Sequence, residues 1–294
     1  MSASAIAGLF PGQGSQTAKL RDRVEHVIPE LLQRCLALVG EDPFSKVEES
    51  TRFAQPAIFC ASLAGWIEGR AHVRPTALAG HSLGELSALV AAEALDPETG
   101  LELAVRRGEL MAAAAAERAG GMLAVLGASD QQVQELLDEH DVVLANDNAP
   151  GQIVLAGELE DLRAASDRAR ERGVRAISLG VAGAFHSPAM SSAVEPFRAM
   201  LDRATWRRPA ITVLSDVSAR PFVDPPAELA AAIVEPVRWR ATMLALVGAG
   251  ADAFVDFGPG QVLARLVRRN LPGAQVLDLT DLARASSRER SGVA

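Results

Sequence analysis

The stretch Gly80-His81-Ser82-Leu83-Gly84 places one serine between two glycines, with the apolar run PTALA before it and LSALVAAEAL after it. This spacing matches G-x-S-x-G, the turn that lifts a serine nucleophile out at the end of a strand and at the start of a helix. Glycines at both flanks permit backbone angles and close approaches that a side chain would block. The helix N-terminus beneath the serine adds free N–H groups and a positive dipole end. A serine that merely caps a helix between two elements is the competing reading of the same residues. A nucleophilic serine needs a base, and the chain has five histidines. His26 and His140 fall on polar helix surfaces, where solvation is expected. His72 lies in a loop beside Arg74. His81 adjoins Ser82, but neighbouring side chains in a tight turn diverge, so His81 is expected to line the pocket. Elimination leaves His186, in the Gly/Ala-rich loop VAGAFHSPAM. No carboxylate has a distinctive setting near it, and a backbone carbonyl would serve equally well to fix its tautomer.

An acyl intermediate on Ser82 needs preorganised donors for its oxyanion. The N–H of Leu83 is one candidate. The backbone N–H of Gln13, in the loop PGQGSQ, is the other. Phosphate binding competes for that loop, which lacks the lysine of a P-loop and the third glycine of a dinucleotide fingerprint. Two arginines sit in LELAVRRGELM. Arg106 has Glu102 and Glu109 at helical offsets and can pair at the surface. Arg107 has Leu103, Leu110 and Met111 at the same offsets and so faces an apolar surface. A guanidinium there calls for an acidic partner, either an internal carboxylate or that of a substrate.

The elements that must position these residues follow from hydrophobic periodicity. Residues 4–10 read as a buried strand, 22–39 as a helix, and 55–66 as a helix with Pro56 near its start. Residues 76–79 read as a strand and 83–95 as a helix, before a further helix capped by Asp96. From Gly120 the order is strand GMLAVLG, helix SDQQVQELLDEH, strands DVVLAN and GQIVLAG joined by DNAP, helix ELEDLRAASDRARERG, and strand VRAISLGV. This β-α-β-β-α-β run is the pattern of a ferredoxin-like unit. A helix over 188–203, strand ITVLSD, a helix over 226–234, a helix from near Ala241, strand FVDFG and helix QVLARLVRRN complete the chain. Residues 284–294 show no apolar periodicity and read as a flexible tail.

The chain has 294 residues, 49% of them hydrophobic and 22% charged, with a net charge of −8. That composition supports a sizeable core and argues against nonspecific nucleic-acid binding. Cys35 and Cys60 lie in apolar segments and read as reduced, buried thiols. The N-terminus has no basic leader followed by an apolar run, and no apolar run is long enough to span a bilayer. A cytoplasmic protein without membrane association is expected.

Taken in order, FPGQGSQ (10–16), QPAIF (55–59), GHSLGE (80–85), RRGELM (106–111), NAPGQIVLAG (148–157), GAFHS (183–187), EPVRW (235–239) and DFGPGQVL (256–263) resemble the malonyl-CoA:acyl-carrier-protein transacylases and the similar acyltransferases of polyketide synthases. The resemblance covers nearly the whole chain. It implies an α/β fold: an α/β-hydrolase-like large subdomain (1–118 and 184–283) with an inserted ferredoxin-like small subdomain (119–183). It also implies Ser82 as nucleophile, His186 as base, Gln13 and Leu83 as oxyanion donors, and Arg107 as the binder of the malonyl carboxylate. His81 and Asn148 match positions near the substrate. GHSLG and the AFH before Ser187 look like the malonyl-selecting versions of their motifs. Ala232 stands where bacterial relatives often carry glutamine, and Glu235 where asparagine is frequent. The implied reaction moves malonyl from malonyl-CoA to the phosphopantetheine thiol of acyl carrier protein, by a monomer, with no metal and no cofactor of its own. Arg265, Arg268, Arg269, Arg207 and Arg208 are candidates for docking an acidic carrier protein, with scattered solvated arginines as the competing reading. A malonate decarboxylase subunit, an acyl-thioester hydrolase and a silent carrier-binding module are the alternatives. Arg107 disfavours the hydrolase, and an intact Ser82, His186 and Arg107 together disfavour the silent module.

Overall fold

A computed structural model describes residues 5–284 apart from 18 and 283. Of the tail expected over 284–294, all but Arg284 lies outside the described residues. The chain opens with β1 (Ile6–Phe10), α1 (Leu20–Val27), α2 (Pro29–Val39), a 3-10 turn (Pro43–Lys46) and the long α3 (Thr51–Gly69). β2 (Ala77–Gly80) turns into α4 (Gly84–Ala91), followed by α5 (Pro97–Glu117). Next come β3 (Gly121–Leu126), α6 (Asp130–Glu139), β4 (Val142–Ala149), β5 (Gln152–Gly157), α7 (Leu159–Glu171) and β6 (Arg175–Ser178). A 3-10 turn (Pro188–Ala193), α8 (Val194–Leu201), β7 (Thr212–Leu214), α9 (Pro225–Ala231), α10 (Trp239–Gly248), β8 (Ala253–Asp256), α11 (Val262–Asn270) and β9 (Gln275–Leu277) follow.

Five strands form a parallel sheet in the order β7-β2-β1-β8-β9. Its central strands IAGLF, ALAG and AFVD are almost uniformly apolar because helices cover both faces. Parallel strands bring their C-terminal ends to one edge, where loops can converge on a ligand. The PGQGSQ loop leaves from Phe10, the serine turn from Gly80, and Asp216 lies just past Leu214. The other four strands form an antiparallel sheet in the order β4-β5-β3-β6, the ferredoxin-like arrangement, so the α/β fold expected from the sequence is present with both of its sheets. Alternation splits β3 between two cores. Leu123 and Val125 pack with Leu136, Leu155 and Leu162 under α6 and α7, whereas Met122 joins the main core.

The two sheets are joined by more than side chains. Asp147 N–H donates to Val237 O at 2.8 Å, and Val237 N–H donates to Ala145 O at 2.9 Å. A parallel bridge thus ties β4 to the segment that precedes α10.

Several expectations shift at the residue level. The helix expected over 22–39 is two, because Ile28 leaves helical geometry (φ −142°, ψ 62°) and Pro29 starts α2. The helix expected from Gln55 begins at Thr51, capped by the Ser50 hydroxyl, so Pro56 falls in its second turn. The helix expected to reach residue 95 ends at Ala91, and Glu93 takes a left-handed φ of 62°. β4 runs through the expected DNAP turn as far as Ala149, and the reversal is made by Pro150 and Gly151 (φ 66°). The helix expected from 188 opens as a 3-10 turn. β9 has no counterpart in the sequence reading. His140 is half-buried with its Nε2 unpaired, rather than solvated. Asp96 and Ser129 cap α5 and α6 as expected, and both cysteines are buried and free.

Candidate active site

The serine turn is built by steric exclusion. A Cβ on Gly80 would lie 1.9 Å from the Gly84 carbonyl carbon, and one on Gly84 would lie 1.9 Å from Phe10 O. Only glycines let β1, β2 and the start of α4 approach this closely. The turn holds Ser82 at φ 53°, in the left-handed region that L-residues rarely adopt. Such a conformation persists only where its surroundings enforce it. Here the Ser82 N–H donates to Asp216 Oδ2, and the Asp216 N–H in turn donates to Glu85 Oε1 at 2.8 Å. Asp216 and Glu85 are both buried. Burial and the neighbouring Asp216 push the Glu85 carboxyl well up, and burial also raises Asp216.

Ser82 Oγ lies 2.8 Å from His186 Nε2. His186 also takes a left-handed φ, 58°, and is 5% exposed. Its Nδ1 lies 2.9 Å from Ala232 O and 3.1 Å from Glu235 O. Carbonyl oxygens only accept, so Nδ1 carries the proton and Nε2 presents its lone pair to the serine hydroxyl. The backbone oxygens of the two departures from the bacterial pattern, Ala232 and Glu235, thus make these contacts without their side chains. Burial, helped by Arg107 and His81, lowers the His186 pKa to about 3, which keeps the imidazole neutral.

Arg107 is 4% exposed. Its Nη2 donates to Ser82 Oγ at 3.2 Å and its Nη1 to Gln55 Oε1 at 3.0 Å. Among the described residues no carboxylate forms an ion pair with it, which sets aside the internal salt bridge considered above. Glu85 and Asp216 act on it only from farther away, while burial lowers its pKa to about 10. Arg106 behaves as its spacing suggests and pairs with Glu109 at 3.2 Å, whereas Glu102 goes to Arg34.

The PGQGSQ loop rests on the serine turn: a Cβ on Gly12 would lie 2.8 Å from His81 O and 3.6 Å from Ser82 Cβ. Gln13 and Leu83 both line a cavity of about 690 Å³ together with Ser82, Arg107, His186 and Asn148. Among the described residues, neither of their N–H groups has a protein acceptor. His81 Nε2 meets Asn148 Oδ1 at 2.8 Å, and Asn148 O accepts from Asn270 Nδ2 at 2.8 Å. All seven residues singled out from the sequence therefore surround one cavity, lined by the loops after β1 and β2, by α5 and by strands of the antiparallel sheet. Gln55, Thr51, Glu85 and Asp216 were not singled out. The cue was available for Gln55, an amide inside an otherwise apolar helix, and for Glu85, an acid in the first turn of an apolar one. Arg265, Arg268 and Arg269 are exposed on α11, with Arg269 Nη2 3.4 Å from Gly151 O. Arg207 and Arg208 are exposed in a separate loop after α8. No group of three or more His, Cys, Asp or Glu among the described residues is arranged to hold a metal ion, and no helix among them is long and apolar enough to cross a membrane.

The arrangement suits acyl transfer: a hydroxyl with a neutral base, two N–H groups on residues of the same cavity wall that have no acceptor among the described residues, and a buried cation lining the same space. Residues 25–289 match the family model described as acyl transferase domain. The polyketide biosynthesis malonyl CoA-acyl carrier protein transacylase PksC of Bacillus subtilis is 36% identical over 289 residues, covering 92% of this chain and 99% of that one. A malonyl CoA-acyl carrier protein transacylase of Synechocystis is 35% identical, covering 94% and 97%. The crystal structure of the malonyl-CoA:acyl carrier protein transacylase of Xanthomonas oryzae superposes with a TM-score of 0.88 at 33% identity, covering 99% of each chain.

Proposed function

We propose that this chain, which belongs to the acyl transferase domain family, moves a malonyl group from malonyl-CoA to the phosphopantetheine thiol of an acyl carrier protein, in fatty-acid or polyketide synthesis. The observation that carries the reading is Arg107: a buried guanidinium beside the nucleophile, without an ion-pair partner among the described residues, facing an open cavity. A carboxylate on the acyl group supplies the missing counter-charge.

In the first half-reaction His186 Nε2 takes the Ser82 proton as Oγ attacks the thioester carbonyl. The oxyanion forms towards the N–H groups of Leu83 and Gln13. Coenzyme A leaves as its thiol, taking the proton back from His186, and malonyl remains as an ester on Ser82. In the second half-reaction His186 deprotonates the carrier thiol, which attacks that ester and returns Ser82 to its hydroxyl form. Arg107 also links acyl choice to rate. Its positive charge helps to depress the His186 pKa. A malonyl carboxylate that neutralises Arg107 relieves this and strengthens the base, whereas an acetyl group does not.

Arg268 and Arg269 form the favoured docking site for an acidic carrier protein. They lie in the last turn of α11, whose Asn270 is bonded to Asn148 at the cavity wall, and both are exposed. Intact-protein mass spectrometry after brief exposure to malonyl-CoA, acetyl-CoA and methylmalonyl-CoA tests the central reading. A malonyl adduct on wild type that disappears in Ser82→Ala is expected, the loss being on the order of 10⁴-fold or more in rate. No adduct together with release of free malonate points to a hydrolase. No adduct and no malonate removes the nucleophile assignment.

A further inference from the structure

The geometry points to Thr51 as a positioning residue that joins the acyl-binding side of the site to its oxyanion side, an inference that rests on the functional reading above. Thr51 is the first residue of α3 and is 5% exposed. Its hydroxyl donates to Gln13 Oε1 at 2.6 Å and accepts from Gln55 Nε2 at 2.8 Å. Gln55 Oε1 accepts from Arg107 Nη1 at 3.0 Å, and Arg107 Nη2 donates to Ser82 Oγ at 3.2 Å. One continuous chain thus runs from the nucleophile through Arg107, Gln55 and Thr51 to Gln13.

The chain has one possible polarity, set from its charged end. A guanidinium has donors and no acceptor, so the Gln55 atom facing it must be oxygen. The Gln55 NH₂ group then faces Thr51, and its other hydrogen points to Met111 Sδ at 3.3 Å. The Thr51 oxygen therefore accepts from Gln55, which leaves its single proton for Gln13. That proton fixes the Gln13 amide with its oxygen towards Thr51 and so holds a residue that lines the cavity. The spacing i to i+4 puts Thr51 and Gln55 on one face of α3, so the helix itself supplies the alignment. Without the hydroxyl, the Gln55 NH₂ group loses its acceptor on α3 and the amide that holds Arg107 is fixed from one side only, and Gln13, an exposed residue, loses its tether.

The test is single-turnover malonyl and acetyl transfer to Ser82, followed by intact mass, in wild type, Thr51→Val, Thr51→Ser, Gln13→Met and the double variant Thr51→Val/Gln13→Met. Gln13→Met keeps its backbone N–H and should slow malonyl and acetyl transfer alike, by about tenfold, as expected for one lost positioning hydrogen bond. Thr51→Val should slow malonyl transfer by at least as much and lower the malonyl-to-acetyl ratio. Thr51→Ser should restore both. Adding Gln13→Met to Thr51→Val should slow the reaction no further, because neighbours acting through one interaction are not additive. Wild-type rates in Thr51→Val, an unchanged ratio, or a double variant slowed by the product of the two single effects would each overturn the relay. If Thr51→Val does not fold, a wild-type rate in Gln13→Met overturns it alone. A wild-type protein that forms no adduct at all removes the functional reading and the relay with it, whereas a normal wild-type adduct with unaffected variants removes only the relay.

Discussion

Arg107→Met should stabilise the protein while removing its preference for malonyl. The guanidinium is 4% exposed, and its two protein partners are a neutral amide and a neutral hydroxyl. Burial lowers its pKa from 12.5 to about 10, against the pull of Glu85 and Asp216. A cation whose pKa is depressed by folding destabilises the native state at every pH below the folded value. At neutral pH that penalty is fully present, about 3 kcal/mol at roughly 1.4 kcal/mol per pH unit. Methionine removes the charge and fills similar space, but it leaves Gln55 Oε1 without its donor, which costs about 1–2 kcal/mol. The net expectation is a gain of roughly 1–2 kcal/mol in urea unfolding and a rise of a few degrees in Tm. Charge-assisted hydrogen bonds to the malonyl carboxylate are worth about 3 kcal/mol, so the ratio of malonyl to acetyl loading should fall by about 10²-fold. The assays are urea titration and competitive loading from an equimolar mixture of the two thioesters, read by intact mass. A variant that loses more than about 2 kcal/mol of stability and still prefers malonyl would refute the reasoning on both counts.

His186 has a folded pKa of about 3 against an ordinary 6.5, so the stability it contributes is present above pH 6.5 and is lost as pH falls towards 3. Urea midpoints measured from pH 7 to pH 4.5 should therefore fall less in His186→Gln than in wild type, and an equal fall would contradict the depressed value. Gly84→Ala places a methyl 1.9 Å from Phe10 O, between β1 and α4, and should cost more than about 4 kcal/mol or prevent soluble expression. A soluble variant with unchanged Tm would show that the turn has room to shift. Arg268→Glu with Arg269→Glu should raise KM for the carrier protein about tenfold and leave KM for malonyl-CoA unchanged. Equal effects on both substrates would remove α11 as the docking site.

The site residues that sequence reasoning identified are those whose local pattern carries a physical demand. Two glycines around Ser82 mark a turn too tight for side chains, and Arg107 stands out because its helical neighbours are apolar. His186 emerged by elimination, and the structure places its ring 2.8 Å from Ser82 Oγ. What remained hidden depends on contacts between distant segments. Asp216 lies 134 residues from the Ser82 amide that it accepts from, and Thr51 lies 38 residues from Gln13. No local periodicity marks such pairs. The fold was legible where alternation and caps are strong, as in the antiparallel sheet with its Ser129 cap. It was less so where one residue breaks a continuous apolar pattern, as Pro29 does between α1 and α2.

The bridge between β4 and Val237 gives the cleft a mechanical character. Val237 is two residues beyond Glu235, whose carbonyl helps to hold the His186 ring. A hinge that swung the antiparallel sheet outward would pull on this segment before it widened the entrance, and would turn the base away from the serine. The two walls are thus geared to the reaction centre, and gaping open is incompatible with being armed. Two large carriers, one a nucleotide and the other a protein, must then reach Ser82 in succession through the same fixed aperture. Each can thread in a slender arm while its bulk stays outside.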